Sequence, residues 1–99
     1  MPSVVSHPEA DSELEEAALR YERISPVLGA DFLDEFEATL ARIVAAPERW
    51  RLVRGNNRRL NFRRFPYALI YQLNGDVISI TAVMHQHRRP FYWQHRRMP

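Results

Sequence analysis

Asn74-Gly75 stands between two runs of β-type composition, Tyr67 to Leu73 and Val77 to Met84. An Asn-Gly pair in that setting is a strong short-range hairpin signal, because a type I′ turn needs two residues that tolerate φ > 0. With Asn74 and Gly75 as the loop, Leu73 pairs with Asp76, Tyr71 with Ile78, Leu69 with Ile80 and Tyr67 with Ala82. These pairs share one face, since side chains alternate along a strand. The alternation puts Val83 and His85 on the other face, with Ala68, Ile70 and Gln72. A preceding run, Arg58 to Arg64, carries Leu60 and Phe62 on one side and Arg59, Asn61 and Arg63 on the other. The predicted sheet buries Leu60, Phe62, Leu69, Tyr71, Ile78 and Ile80. It leaves Arg59, Arg63 and His85 on an open face, and function is expected there or at its rim.

Upstream of Pro47 the periodicity is helical. Ser6 and Glu9 have the spacing of a capping box, and Pro8 falls early in the helix, where its missing N–H costs nothing. A first helix is predicted from Pro8 to Arg23, with Ala10, Leu14, Ala17, Ala18 and Tyr21 as its apolar stripe. Asp11, Glu13, Glu15, Glu16 and Glu22 read as its solvated face. Ser25-Pro26 restarts the chain as a cap and a helix-opening proline. A second helix follows to Ala46, with Leu28, Phe32, Leu33, Phe36, Leu40, Ile43 and Val44 inward. Gly29 reads as a weakness of about 1 kcal/mol relative to Ala. The link is short, so the helices form an antiparallel hairpin. After Pro47, Trp50 to Arg54 is a short candidate strand and Gly55-Asn56-Asn57 a turn. Val4-Val5 suits an edge strand. The predicted fold is α+β: an N-terminal α-hairpin packed on one face of a small, mainly antiparallel β-sheet.

A chain of 99 residues has room for one core, so residues 1–99 are read as a single domain. It has no cysteine, which removes disulfides, thiol nucleophiles and cysteine-ligated zinc. No apolar run approaches the ~18 residues of a membrane span, and the N-terminus lacks the pattern of a secretory signal. A cytoplasmic location without membrane contact is expected. The formal charge of +2 hides a strong polarity: residues up to Glu48 hold eleven acids and three arginines, while those from Arg49 onward hold eleven arginines and only Asp76 as an acid. All fourteen Lys-plus-Arg positions are Arg. GC-rich coding produces the same bias. Either way, guanidinium is a planar, permanently charged fork suited to phosphates, carboxylates and aromatic faces. An anionic partner is expected for the basic half.

Arg58, Arg59, Arg63 and Arg64, with Arg88, Arg89, Arg96 and Arg97, are interleaved in the second half with Phe91, Tyr92 and Trp93. That mixture suits nucleic acid, with guanidinium for phosphate and rings for unstacked bases. It equally suits an acidic protein. His85, His87 and His95 have no carboxylate close in sequence, so no metal site is expected. A histidine beside arginines is better placed for proton transfer. Arginine is no general base, but it can stabilise a pentacoordinate phosphate. In an RNA-cleaving site, His85 or His87 could take one proton-transfer role and Tyr92 the other. No P-loop, G-x-G-x-x-G, G-x-S-x-G or H-E-x-x-H is present, and no cofactor is expected.

The order of these pieces resembles the RelE/ParE superfamily of bacterial type II toxin–antitoxin toxins. The resemblance runs from Ser-His-Pro-Glu-Ala at Ser6 to Tyr92-Trp93. It is carried by Phe65-Pro66-Tyr67 with Ile70-Tyr71, and by Ala82-Val83-Met84-His85 with Arg88-Arg89-Pro90. It implies a toxin held inactive by a cognate, co-encoded antitoxin whose acidic or amphipathic tail wraps it. RelE-like members cut mRNA in the ribosomal A site with basic and aromatic residues of the sheet face and C-terminal segment. ParE-like members lack that set and inhibit DNA gyrase. Carried onto this chain, Arg59, Arg63, His85, Arg88 and Tyr92 are the candidate catalytic residues of a ribonuclease, and Arg58, Arg64, Arg89 and Trp93 candidate binding residues. The chain has no lysine, unlike the RelE pattern, which tilts the expectation toward gyrase. A member that only binds its partner is the third alternative.

Overall fold

The computed structural model describes residues 2–98. Strand β1 (Ser3–Ser6) leads into helices α1 (Pro8–Ile24) and α2 (Pro26–Ala45), followed by strands β2 (Arg51–Arg54), β3 (Asn57–Asn61), β4 (Tyr67–Asn74) and β5 (Val77–His85). The sheet order is β1-β5-β4-β3-β2, with β1 parallel to β5 and every other pairing antiparallel. The α+β fold and its helix hairpin match the sequence expectation.

Local chemistry explains most element ends, with two changes. The N-cap of α1 is His7, whose Nδ1 accepts the Glu9 N–H at 3.0 Å. Ser6 instead turns its hydroxyl toward the Asp11 carboxylate. Ser25 joins the helices in an extended conformation without a side-chain cap bond. The helices meet closely at Gly29, where a Cβ would lie 2.9 Å from the Cβ of Glu22. The glycine read as a weakness is thus the point of close approach that lets the hairpin close.

One face of the sheet packs under both helices. Ala10 and Ala17 of α1 and Phe32, Phe36 and Ile43 of α2 close over Leu60, Leu69, Tyr71, Ile78 and Ile80. Tyr21, Phe32, Phe62, Phe65 and Tyr67 form an aromatic group at one end, with neighbouring ring centroids 4.9 to 6.3 Å apart. Edge-to-face contacts predominate, as ring quadrupoles favour.

The hairpin register differs from the expected one. Its loop residues are Gly75-Asp76, between paired Asn74 and Val77, so Leu73 faces Ile78 and Tyr71 faces Ile80. Only Gly75 of this loop has positive φ, at +60°. A positive φ confined to the first loop position is the demand of a type II′ turn, not type I′. The β2–β3 turn repeats the pattern with Gly55 at φ +55°. A second irregularity follows: Ile70 faces Ala82, so Thr81 is an extra residue in β5. A bulge of this kind reverses the facing of everything beyond it. Val83 therefore joins the helix-side core, while Ala82 and Met84 turn to the other face. His85 moves with Val83 and is not on the face assigned to it from sequence.

The second face is not open. Ala68, Ile70, Ala82 and Met84 are buried beneath Trp93, with Val53, Phe91 and Tyr92 at the margin. The segment after β5 folds back across the sheet through a series of turns, and Trp93 is only 2% exposed.

A candidate interface walled by the C-terminal segment

The tail is held by two acidic side chains of α1: Glu9 lies 3.4 Å from Arg96 Nε and 3.9 Å from His95 Nε2, and Glu13 makes the closer contacts. Glu13 of α1 accepts Arg96 Nη1 at 2.8 Å and Nη2 at 3.0 Å, the Tyr92 hydroxyl, and the Val83 N–H at 3.1 Å. Arg96 Nη1 also donates to the Thr81 carbonyl at 3.1 Å. Pairing with β1 stops at Ile80, and beyond it Glu13 and Arg96 satisfy the edge of β5 that β1 leaves bare. The two side chains are 13% and 5% exposed. Bidentate geometry makes such a buried pair tolerable, while Arg96 Nε has no hydrogen bond and lies 3.4 Å from the Glu9 carboxylate. Burial pushes the Tyr92 phenol well above its ordinary range, and its bond to the Glu13 carboxylate pushes it further. Burial opposes the charge on Arg96, but Glu13 outweighs it and holds the guanidinium still more firmly protonated.

The helical pattern of the sequence places Glu13 on the solvated face of α1, and the structure buries it. Its spacing carried a warning: it lies three residues after Ala10 and four before Ala17, inside the buried stripe. Tyr92, read as a proton-transfer group, is hydrogen-bonded to this anchor.

The remaining sequence-derived residues are distributed over the molecule. Arg59 projects from the second face and donates to the Asn61 side chain at 2.9 Å. Arg63 is not on that face, because β3 ends at Asn61; it lies beside α2 in a shallow depression with Asp34, Ala38 and Arg42. Arg64 neighbours it, with its Nε 3.5 Å from buried Glu35, which also accepts the Arg64 N–H. Arg58 points to the helix side and donates to the Glu48 and Trp50 carbonyls at 2.9 and 2.7 Å. Arg89 is exposed in the loop after β5. Trp93 is the floor of the tail.

Two recesses collect what remains. In the first, about 350 Å³, Arg51, Arg59 and Arg88 surround an apolar floor of Ile70, Met84 and Trp93, walled by Pro90 and Phe91. Arg51 was missed in sequence; the register places it directly opposite Arg59. Burial, then Arg51, lower the pKa of Arg59. The second, about 260 Å³, lies on the helix side and holds His85, His87, Arg20, Arg88, Glu13 and Glu16. His85 packs against Tyr67, with ring centroids 5.0 Å apart, and against His87 at 5.1 Å. Burial, then His87 and Arg20, lower its pKa. Among the described residues, no group of three or more His, Cys, Asp or Glu is placed to hold a metal ion. No described helix is long and apolar enough to cross a membrane.

The tail's rings are engaged by arginine. The Arg54 guanidinium lies 3.8 Å from the Phe91 ring centroid, and those of Arg88 and Arg96 lie 3.9 and 5.1 Å from that of Tyr92. Such stacking is favourable in itself, and it occupies ring surface that an unstacked base would need.

An α-hairpin over a five-stranded sheet, with a basic C-terminal half, is an architecture shared by small bacterial toxins of type II toxin–antitoxin systems. A family model described as the ParE toxin of the type II toxin–antitoxin system, parDE, matches residues 4–90. The chain belongs to this ParE toxin family. Among solved structures, a chain from the chromosomal ParDE TA system of P. aeruginosa is similar in fold, with a TM-score of 0.74 at 19% identity, covering 86% of this chain and 96% of that chain. A search of curated proteins finds no match.

Proposed function

We propose that the protein acts as a non-catalytic toxin, gripping DNA gyrase through its basic second face and C-terminal segment, and that a co-encoded antitoxin neutralises it. The observation that carries this reading is the dispersal of the candidate ribonuclease groups. Arg59 lies on the second face, Arg63 beside α2 and His85 on the helix side. The Tyr92 hydroxyl is bound to Glu13. RNA cleavage requires a base, an acid and a charge stabiliser around a single phosphate. Gripping requires only a complementary surface. Family membership supports the toxin identity, and the ParE-like arm supplies the gyrase target.

The test is a gyrase supercoiling assay with purified toxin, run beside mRNA cleavage mapping after induction without the antitoxin. Supercoiling should fall with rising toxin and recover when the co-encoded antitoxin is added. Unimpaired supercoiling at every ratio sinks the gyrase reading. Ribosome-dependent cleavage is the second reading, supported by the cleft where His85 and His87 meet Arg20 and Arg88. Under it, His85→Ala abolishes toxicity; under the gyrase reading, toxicity survives.

A further inference from the structure

The two edges of the sheet differ in how they are guarded. The β2 edge carries Arg51 and Arg54, and its pairing with β3 shifts register between Leu52 and Arg54. Charge and irregularity are devices that keep a strand edge from pairing with another chain. The β1 edge has neither. Its residues are Ser-Val-Val-Ser, and its pairing with β5 is regular from Ser3 to Ser6. The Ser3 and His7 N–H groups donate inward to the Asp76 and Ile80 carbonyls at 2.9 Å. Backbone direction alternates along a strand, so Val5 bonds inward with them, and the N–H and C=O of Val4 and Ser6 point outward. No turn, loop or cap bond among the described residues reaches those outward groups. Helix α1 lies over β5, and Val4 and Val5 are 39% and 44% exposed.

We propose that the β1 edge is where a second copy of this chain pairs, antiparallel and about a two-fold axis, so that the two sheets become one. The register follows from the backbone. An antiparallel pair exchanges both of its hydrogen bonds only where the two residues turn their polar groups toward each other. Val4 opposite Ser6 of the other copy uses every outward group of both chains, and the axis then passes between the two copies of Val5. An axis at Val4 would set Ser6 against Pro2, and an axis at Ser6 would set Val4 against Pro8; neither proline has an N–H to give. A strand bounded in this way by prolines pairs most completely with its own reverse, which is why the occupant is a second copy. Val4 and Ser6 share the face of their partners Ile78 and Ile80, under the helices, so Val5 lies on the other face. The two valines therefore meet where α1 does not intrude, and a cross-strand pair of β-branched side chains is favourable. A ladder this short is small beside the roughly 1,200 Å² of a stable interface, so the dimer is weak and depends on concentration. The axis is perpendicular to the sheet, so both second faces look the same way. At about 4.8 Å per strand, their arginine recesses lie roughly 40 Å apart. The dimer is bivalent toward a repeating or two-fold symmetric anionic partner.

The chain has no cysteine, so a single introduced thiol reports the contact cleanly. At the axis the two copies of Val5 form a non-hydrogen-bonded pair with Cα atoms about 4.5 Å apart, within disulfide reach. Under mild oxidation the full-length Val5→Cys protein should cross-link to a covalent dimer. Val4→Cys should stay monomeric, because its counterpart is Ser6 and not itself. Leu52→Cys should also stay monomeric: that site is more exposed, at 53%, but sits on the guarded β2 edge. Without oxidant, the sedimentation mass of the wild type should rise toward that of two chains between about 10 μM and about 1 mM. Val5→Lys, which sets like charges at the axis, should remain monomeric over the same range with an unchanged melting temperature, so lost pairing is separable from misfolding. Equal cross-linking through positions 5 and 52, a wild type still monomeric at the top of the range, or a dimer that survives Val5→Lys overturns the proposal. Hydrogen exchange distinguishes the rival occupant. The Val4 and Ser6 amides should be slowed by raising the protein concentration alone. If they are slowed only on adding the purified co-encoded antitoxin, the edge belongs to that partner and self-pairing fails.

Discussion

On one face of the sheet, Phe32 and Ile43 of α2 and Ala17 of α1 lie fully buried against Leu69, Tyr71 and Ile78. On the other, Trp93 is the one fully buried large side chain the tail supplies, and it is kept there by Glu13, which holds Arg96, Tyr92 and Val83. The first face is closed by two long apolar stripes. The second is closed by one indole and a buried ion pair reaching over from α1. Apolar burial is non-directional and tolerates small shifts. An ion pair fails when one partner is lost, because the other is left charged and buried. The contrast predicts that damage to the helix face is global, while damage to the tail face stays local.

The largest effect is expected on the helix face. Phe32→Ala should cost about 4 kcal/mol, a typical cost of deleting a buried ring, with helix and sheet signals lost in one urea transition. Separate transitions for the two would break the contrast. Next comes Glu13→Gln, which removes the bidentate partner of Arg96, leaves it only Glu9 at 3.4 Å and should cost about 3 kcal/mol. In a Trp50→Phe background its mark should be a red shift of Trp93 fluorescence with far-ultraviolet dichroism preserved. An unshifted emission would mean that the indole alone holds the tail. Gly29→Ala, favourable by helix propensity, should instead cost about 1–2 kcal/mol, because the added methyl meets Glu22 at the helix crossing. A stabilised variant would show that the hairpin can open without penalty.

The smallest effects are those of pH. Tyr71 is pushed up to about 12, chiefly by burial, and Tyr92 is raised as well. Both folded values exceed the unfolded value of about 10, so their contribution is complete below about pH 10 and is lost as pH rises through the folded values. Urea midpoints should therefore fall in strong alkali, and less steeply in Tyr92→Phe. His85 has the opposite sense. Its folded value is lowered, so its contribution is present above the unfolded value of about 6.5 and is lost as pH falls through the folded one. An Asn at His85 should flatten that acid limb.

The helices and the helix side of the sheet were legible because each is written as a repeat. Leu28, Phe32, Phe36 and Ile43 follow the helical period, and Leu69 and Tyr71 the strand period. The sites were less legible for three reasons. The extra residue at Thr81 exchanged the faces of Val83, His85, Ala82 and Met84, and alternation cannot register a bulge that lies between apolar neighbours. The early end of β3 sent Arg63 toward α2. The tail's mixture of histidine, arginine and rings fits a docked segment and a free one equally well.

By itself the sequence determined the two layers, the order of their elements, the hairpin at Asn74-Gly75 to within one residue, and the division into an acidic and a basic half. These follow from local periodicity, turn chemistry and composition, which act over a few residues. Tertiary structure alone decided that the second face is covered, that Arg51 joins Arg59 and Arg88 around one recess, and that Glu13 is an anchor. The reason is distance along the chain: Glu13 and Arg96 are 83 residues apart. Their meeting depends on where β1 stops pairing, how β5 bulges and how the tail turns, and no window of sequence contains all three.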